Sequence, residues 1–224
     1  YLVTCDDGTV LGFYKSINTT AYFTGAITDA TAITVPDTIV YSGNTMVVTR
    51  CGSSSSYALD FVEAPNVASI TLPATVSYIY AFPATVSELH LKSATPPNLD
   101  SNISLINTMV YVPQSAYSTY QSYCNNGTNR WRSNYSVVVE GWKGLSCNVH
   151  VASPGQFGNE LLNVMENWLD VKELTVTGSL NAEDMAYFTR LKLLHKLDLS
   201  QTDITNVGGC SDLSLLKTVI LPST

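Results

Sequence analysis

Charged residues are scarce in this sequence. Only 13% of the 224 residues are Asp, Glu, Lys or Arg, and 18 acids against 11 bases leave a formal net charge of −7. The shortage of bases, with a pI near 4.8, excludes a basic nucleic-acid-binding surface. The content of 45% hydrophobic and 10% aromatic residues excludes intrinsic disorder. No apolar run approaches the roughly 20 residues of a membrane-spanning helix, so we expect no membrane span.

The motifs of common enzymes and metal sites are also missing. There is no C-x-x-C, H-x-x-x-H or H-E-x-x-H spacing, no G-x-S-x-G and no glycine-rich phosphate loop. The three histidines, His90, His150 and His195, are far apart, and we expect them at the surface. We therefore predict a protein that is not an enzyme, with no catalytic residues, no cofactor and no metal ion. Its ligand-binding residues are unknown at this stage.

Two groups of acids leave a metal-binding alternative open. Asp6 and Asp7 form a pair, but Gly8 follows them, and Asp-Gly is a strong hairpin-turn signal, so we favour a turn. Asp198, Asp203 and Asp212 would lie along one edge of a single coil, where calcium binding is the alternative to a solvated edge. For both groups we favour the interpretation without a metal ion: a turn for the first and a solvated edge for the second.

Cysteine is present in an odd number and without metal-ligand spacing. We favour buried thiols that act as small hydrophobic residues. The alternative is a disulfide, such as Cys124–Cys147, formed outside the cell. The five residues are Cys5, Cys51, Cys124, Cys147 and Cys210.

The beginning of the chain and its polar composition favour an exported protein. The sequence starts at Tyr1 rather than Met, which indicates a processed or trimmed piece from which a signal peptide has gone. Few charges with many Ser, Thr, Asn and Tyr residues are more typical of an exported surface protein than of a cytosolic enzyme.

A short pattern recurs along the chain. It consists of a β-branched residue, any residue, Val or Leu, and then Pro, and three copies continue with any residue and Thr. Because proline lacks an N–H, it ends the strand that precedes it. The four copies are Ile33–Pro36, Ile70–Pro73, Val110–Pro113 and Val219–Pro222.

Related segments without proline begin at Leu89, Leu174 and Leu197. Several neighbouring copies are 19 to 23 residues apart, close to the period of leucine-rich repeats, and the 37 residues from Ile33 to Ile70 fit two short repeats. One coil cannot bury the apolar face of its strand alone, so we expect the coils to stack and their strands to share one parallel ladder. The predicted fold is an α/β solenoid of leucine-rich repeats with a stacked parallel β-sheet and a few short helices.

The fullest copy also admits a helical interpretation. It runs from Leu194 to Ile204 and reads L-x-x-L-x-L-x-x-T-x-I. Taken alone, Leu191, Leu194 and Leu197 fit the spacing of an amphipathic helix. The recurrence of the pattern favours a strand.

A second recurring element lies between the strands. Each copy has two apolar residues three apart, followed by a turn residue or an aromatic residue, and we expect it to form the return side of the coil. Cys51 stands where the other copies have Ile or Val, which indicates a buried thiol without a chemical role. The copies are Val48–Gly52, Val76–Phe82 and Ile204–Gly208.

These residues resemble the BspA-like leucine-rich-repeat proteins, exported surface proteins of gut and oral anaerobic bacteria. Family repeats look like V-T-I-P-x-x-V-T-x-I-G-x-x-A-F-x-x-C-x-x-L, to which Ile70–Phe82 and Ile204–Thr224 are similar. Tyr111–Tyr120 resembles the segment that closes a block of such repeats and often leads to a Trp, here Trp131. The usual A-F is missing after Gly52. The resemblance implies a protein that is secreted or attached to the outer membrane at the cell surface.

We expect two domains. Residues 1–142 would comprise an N-terminal β-hairpin cap, with Leu2–Cys5 and Thr9–Tyr14 as its strands, and a first repeat block. Ser115–Cys124 is predicted as a helix, and Tyr135–Glu140 as the strand that closes this block. Residues 143–224 would form a second repeat block that is truncated at its C-terminal end.

The second block is predicted to contain a strand and two helices. Val149 and Val151 alternate as in a strand, and Asn181 and Asp184 form the cap of a helix that carries Met185, Phe188 and Leu191. The other helix would present one apolar face, made of Phe157, Leu161, Leu162, Met165, Trp168 and Leu169.

Aromatic residues are dense in one region. They suit recognition of a protein or a glycan, because Tyr and Trp combine apolar area with a polar tip, although filling of the junction between the blocks is favoured. The set is Tyr78, Tyr80, Tyr117, Tyr120, Tyr123, Trp131, Tyr135 and Trp142.

The function that these features favour is binding rather than catalysis. Given the family resemblance, we expect a non-enzymatic exported or cell-surface protein that mediates protein–protein interaction or adhesion to host or other cells, with a protein or a host or bacterial surface ligand as its partner. The alternative is a glycan-binding accessory module that uses the Tyr- and Trp-rich surface. That alternative predicts weak sugar binding that is lost on Trp131→Ala or Trp142→Ala.

Overall fold

The computed structural model describes residues 1–16, 19–52, 64–101, 103, 105, 107–125, 131, 137–165, 168–205 and 207–223. These residues belong to two compact units, Tyr1–Trp142 and Lys143–Thr224. The described part is rich in strands, contains parallel sheets and has three short α-helices. None of the described helices is long and apolar enough to cross a membrane.

The N-terminal unit begins with the predicted hairpin. Strands β1 (Leu2–Thr4) and β2 (Val10–Lys15) pair antiparallel across the Asp6-Asp7-Gly8 turn, and β2 pairs antiparallel with β3 (Thr20–Ile27). In the turn, Gly8 has φ 82° and the Thr9 N–H donates to Asp7 Oδ1 over 2.9 Å. The turn interpretation of the two aspartates is therefore confirmed.

After this hairpin the chain alternates between two sheets. The seven-stranded sheet has the order β1-β2-β3-β6-β8-β10, with β5 paired to β6 off this path. Its further strands are β5 (Thr38–Tyr41), β6 (Asn44–Cys51), β8 (Tyr78–Ile79) and β10 (Asn98–Leu99). The other sheet has the order β12-β11-β9-β7-β4, made of β4 (Ala32–Thr34), β7 (Ser69–Leu72), β9 (Glu88–Leu91), β11 (Met109–Val112) and β12 (Val137–Val139).

The five-stranded sheet has the register that the repeats predict. All its pairs are parallel, and the first apolar residue of each repeat lies beside that of the next coil. These residues are buried and face the core, because every second residue of a strand points to the same side. The ladder is Ile33, Ile70, Leu89, Val110 and Val137.

The C-terminal unit holds a separate four-stranded parallel sheet. Its order is β13-β14-β15-β16, and Leu174, Leu197 and Val219 share one ladder. The prediction of a single ladder for all copies is therefore wrong, because the copies belong to two sheets. The strands are β13 (Leu145–Val151), β14 (Val171–Gly178), β15 (Lys196–Thr202) and β16 (Thr218–Ile220).

The spacing of Ile33 and Ile70 does not represent two repeats. The two residues are direct neighbours in the ladder, so no further repeat strand of this sheet is paired between them. The extra length includes the antiparallel pair β5–β6, which lies in the other sheet. Spacing along the sequence could not reveal this, because an insertion between strands leaves their pairing unchanged.

The return side of the coils also forms a ladder in the N-terminal unit. Cys51, Ile79 and Leu99 are adjacent on β6, β8 and β10, and Cys51 is fully buried. The prediction that Cys51 replaces a core hydrophobic residue is confirmed. The third predicted copy is different: Gly208 begins a short 3₁₀ helix, Gly208–Cys210, rather than ending a strand.

The second predicted helix is shorter in the structure than the apolar face assigned to it. Helix α1 (Tyr117–Asn125) buries Tyr120 and Cys124, as predicted, but α2 (Phe157–Val164) ends before Met165, whose backbone is extended. Leu162 and Leu169 are 50% and 56% exposed, so the predicted continuous face over residues 157–169 is wrong. The chain must leave α2 and make the 3₁₀ turn Trp168–Asp170 to enter β14.

Helix α3 (Ala182–Phe188) begins with the predicted cap. The Asn181 side chain accepts from the Asp184 N–H, and the Asp184 side chain accepts from the Asn181 N–H. The helix ends at Phe188, so Leu191 lies in the turn that follows and not on the helix; it is nevertheless fully buried. The helical alternative for Leu191–Leu197 is wrong, since Leu197 lies in β15.

Candidate functional site

A row of tyrosines and one arginine crosses the outer face of the seven-stranded sheet. Tyr14 on β2 is paired with Tyr22 on β3, Tyr22 with Arg50 on β6, and Arg50 with Tyr78 on β8. Tyr80 follows β8 directly. We call these five residues the tyrosine–arginine row. The residues next to them along the strands, Phe13, Phe23, Cys51 and Ile79, point into the core.

Three tyrosine rings hold the Arg50 guanidinium. Its Cζ lies 4.8 Å from the ring centre of Tyr22, 5.6 Å from that of Tyr80 and 5.9 Å from that of Tyr78. One of its N–H groups, on Nη1, also donates to the Tyr80 hydroxyl over 3.1 Å. Cation–π contacts of this kind contribute about 0.5–1 kcal/mol each at exposed sites. The arginine is thus fixed in position although it lies on the surface of the sheet.

The rings of the row also contact one another. The Tyr78 and Tyr80 ring centres are 4.2 Å apart, and those of Tyr14 and Tyr22 are 6.0 Å apart. The Tyr22 hydroxyl lies 2.7 Å from Ser16 Oγ, and Tyr14, at the end of the row, is 42% exposed. The row therefore offers aromatic area with polar tips in a fixed arrangement.

In the part of the chain that the structure describes, Arg50 forms no ion pair with an acid. Among the described residues, no carboxylate oxygen lies within 4.0 Å of its guanidinium. The whole chain has a net charge of −7, so this cation stands out against an acidic background. Such a group is available for an ion pair with a ligand.

The predicted aromatic patch is not the surface that the fold presents. Trp131 is 2% exposed and Tyr120 is fully buried; they meet edge to face with ring centres 5.4 Å apart. Trp131 Nε1 donates to the Pro97 carbonyl over 2.8 Å, and the Tyr120 hydroxyl lies within hydrogen-bond distance of the Ser93 and Thr95 carbonyls. These two side chains belong to the core of the N-terminal unit.

The other members of that patch have varied positions. Tyr123 is 42% exposed on α1, and Tyr117 and Trp142 are partly buried. Tyr135 lies outside the described residues. Of the predicted set, Tyr78 and Tyr80 belong to the tyrosine–arginine row. The other members of the row, Tyr14, Tyr22 and Arg50, were not predicted.

His90 lies in a small polar cluster on the five-stranded sheet. Its ring stacks on Tyr111 with centres 4.4 Å apart, and its Nδ1 lies 3.0 Å from both carboxylate oxygens of Glu140. Burial, followed by Glu88 and Glu140, raises the Tyr111 pKa to about 12. The expected surface position is only partly right, because the His90 side chain is 21% exposed.

The other histidines do not join a catalytic group in the described structure. His150 is exposed, and its Nδ1 lies 2.9 Å from Thr177 Oγ1. His195 is partly buried rather than on the surface: burial, then Lys172 and Lys217, lowers its pKa to about 4. Its Nε2 is buried and has no hydrogen-bond partner in the described part. This histidine is therefore neutral at physiological pH.

All five cysteines are free thiols, so the disulfide alternative for Cys124 and Cys147 is not realised. Burial raises the Cys51 pKa to about 12 and the Cys124 pKa to about 11. Thiols with such values are not thiolate nucleophiles at neutral pH.

The acids of the predicted calcium edge have separate local partners. Asp198 Oδ1 accepts from the Ser200 N–H over 2.9 Å, and Asp203 Oδ1 accepts from the Leu180 N–H over 3.0 Å. Within the described ranges, no group of three or more metal-ligating side chains is close enough to hold an ion.

An open groove in the C-terminal unit was not predicted. It encloses about 530 Å³ between α3 and the 3₁₀ helix Gly208–Cys210. Its lining is largely apolar and includes Leu180, Met185, Ala186 and Ile204. The groove arises where a short 3₁₀ helix stands beside a full α-helical turn.

Comparisons with known proteins leave the family open. No protein-family model matches the chain, and no curated protein matches it. A crystal structure of a leucine-rich repeat protein from Bacteroides ovatus is similar at 12% identity and a TM-score of 0.28. The alignment covers 95% of this chain and 52% of that protein, so the chain spans about half of its length. A similarity at this TM-score carries no argument about fold or function.

Proposed function

We propose that this chain is a non-enzymatic, exported leucine-rich-repeat protein of the BspA-like type that binds a protein partner at the surface of a host or other cell. The repeat period and the parallel ladder from Ile33 to Val110 support a leucine-rich-repeat solenoid. The family resemblance of the repeats supports export and adhesion.

The observation that carries the binding proposal is the tyrosine–arginine row. Tyr and Arg are enriched among the residues that dominate protein–protein binding energy. Here they are brought together on one face of a sheet, and the positions of Tyr14, Tyr22, Arg50 and Tyr78 are set by strand pairing. A partner would meet a surface whose side chains lose little conformational freedom on binding.

The glycan-binding alternative receives less support. It relied on exposed Tyr and Trp rings, but Trp131 and Tyr120 are core residues. The faces of Tyr22 and Tyr80 are directed at the Arg50 guanidinium and not freely open to a sugar ring.

Binding of the full chain to purified extracellular-matrix proteins and to a glycan array tests the proposal. We expect a protein ligand whose affinity falls at least about tenfold on combining Tyr14→Ser with Tyr78→Ser. The matched control is Tyr123→Ser, which removes an equally exposed tyrosine from α1 and should leave binding unchanged. Binding only to glycans, or equal loss in the control, would contradict the proposal.

A further inference from the structure

The guanidinium of Arg50 has unused hydrogen-bonding capacity. An arginine side chain carries five N–H donors in a planar fork, and a single bond to a described side chain, Tyr80, is formed. The Arg50 Cζ lies over the faces of three tyrosine rings, 4.8 to 5.9 Å from their centres. Because these rings occupy the space on their side of the guanidinium, a ligand meets it at the N–H edge that does not contact them.

A carboxylate matches this edge in shape and in charge. Arginine binds carboxylates through two parallel N–H···O bonds, and these charge-assisted bonds are roughly twice as strong as neutral ones. Among the described residues the row holds one guanidinium, in a chain of net charge −7, which suits one monoanion and disfavours a polyanion such as nucleic acid.

We propose that Arg50 is the specific recognition point of the row and pairs with the carboxylate of an acidic side chain on the protein partner. This inference rests on the proposed function, since it names the chemistry of the partner at the same surface. A peptide carboxylate is favoured over an acidic sugar because the ring faces that would stack on a sugar already contact Arg50 or each other. Asn98, which is paired with Tyr78 and exposed, can serve a neighbouring polar group of the partner.

Arg190 provides an internal control for this site. It is exposed in the C-terminal unit, and its guanidinium lies over one ring, that of Tyr187, at 4.6 Å. The two arginines therefore differ in the number of rings that hold them, while both are cations on the same chain. A carboxylate that binds by charge alone would affect both equally.

The test is a titration of the full chain followed by NMR of the arginine Nε–H signals. The probes are N-acetyl-glutamate amide, the neutral N-acetyl-glutamine amide and methyl glucuronide. We expect the glutamate probe to shift the Arg50 signal with a Kd on the order of 1 mM, as suits a single ion pair, and at least about tenfold more tightly than it affects Arg190. The glutamine probe should have no effect. Equal effects on both arginines, no shift at Arg50, or tighter binding of the glucuronide would each overturn the proposal.

Two variants make the result specific to the held guanidinium. Arg50→Lys keeps the charge but removes the planar fork, and Tyr80→Phe removes the hydroxyl that accepts from Arg50 while keeping the ring. Both should weaken binding of the glutamate probe, followed in every variant at the backbone amide of residue 50, and Arg190→Lys should not. If Arg50→Lys fails to fold, Tyr80→Phe decides, and unchanged affinity in a folded variant would refute the proposal.

The partner assay separates this inference from the proposed function. If the chain binds a matrix protein and Arg50→Gln binds it equally well, protein binding stands and carboxylate recognition fails. If no protein binds at all while the glutamate probe still shifts Arg50, the site recognises carboxylates but the adhesion proposal fails.

Discussion

The buried carboxylate of Asp184 allows a sharp test of how neighbouring coils hold together. Asp184 is 2% exposed and accepts three backbone N–H groups. Its Oδ2 accepts from Gly155 over 2.7 Å and from Asn181 over 3.0 Å, and its Oδ1 accepts from Phe157 over 2.9 Å. It thus caps its own helix, α3, and also binds the turn at the start of α2 in the preceding coil.

The expected loss of stability follows from the number of N–H groups left without an acceptor. Asp184→Asn retains one oxygen, which can serve the Oδ2 side, but it places an NH₂ group against the Phe157 N–H; we expect about 2 kcal/mol. Asp184→Ala leaves all three N–H groups without their acceptor, and we expect about 4 kcal/mol. Asp203→Asn is the matched control, because Asp203 is exposed and accepts from Leu180, so we expect less than about 1 kcal/mol.

Native-state hydrogen exchange is the suitable assay, because the chain has two units and need not unfold in one step. Protection of the β14 amides reports the free energy of unfolding of the C-terminal unit, and the Phe157 amide reports the local bond. A change below about 0.5 kcal/mol for Asp184→Asn, or an effect no larger than that of Asp203→Asn, would refute the reasoning.

The remaining predictions concern three other positions. Trp131→Phe should lower the free energy of unfolding of the N-terminal unit by about 2 kcal/mol, measured by calorimetry. It should leave the affinity for the partner unchanged. Gly178→Ala should be severely destabilising in urea unfolding, since Gly178 has φ +98° and an added Cβ would collide with the Val151 carbonyl oxygen. Gly141→Ala, at φ +82° with open space around the added Cβ, should cost only about 1–2 kcal/mol. His195 has a lowered pKa, about 4, so the unfolded chain binds its proton first; wild type should lose stability as pH falls from about 6.5 to 4, and His195→Gln should show a shallower pH dependence.

Much of the strand arrangement was predictable from local patterns. The register of Ile33, Ile70 and Leu89 follows from the repeat because each strand has one apolar face, and a shift by one residue would expose that face to water. The Asn181 cap was equally readable, since capping is a contact between residues three apart. A second short repeat also indicates a recurring turn: Pro-Ala-Thr-Val-Ser occurs at 73–77 and again at 83–87. Both copies form the same turn, in which the Val N–H donates to the Pro carbonyl.

The tyrosine–arginine row was not predictable in the same way. Arg50 lies 28 residues after Tyr22, and Tyr78 lies 28 residues after Arg50. Nothing in the local sequence marks the three as partners. Their contact depends on a register shift between β3 and β6, which brings Arg50 rather than Thr49 beside Tyr22. The opposite error occurred at Trp131, where a residue expected to be available to a ligand fills the core.

The sequence by itself determined where the repeat strands of the five-stranded sheet lie, which of their residues face inward and where the hairpin turn and the α3 cap lie. These properties depend on alternation, proline and short-range hydrogen bonds, all of which are local. Only the tertiary structure decided how the copies divide between two sheets, which aromatic residues are buried and which side chains surround Arg50. Those outcomes depend on pairing between distant strands, where the burial of the whole apolar face outweighs the preference of any single residue.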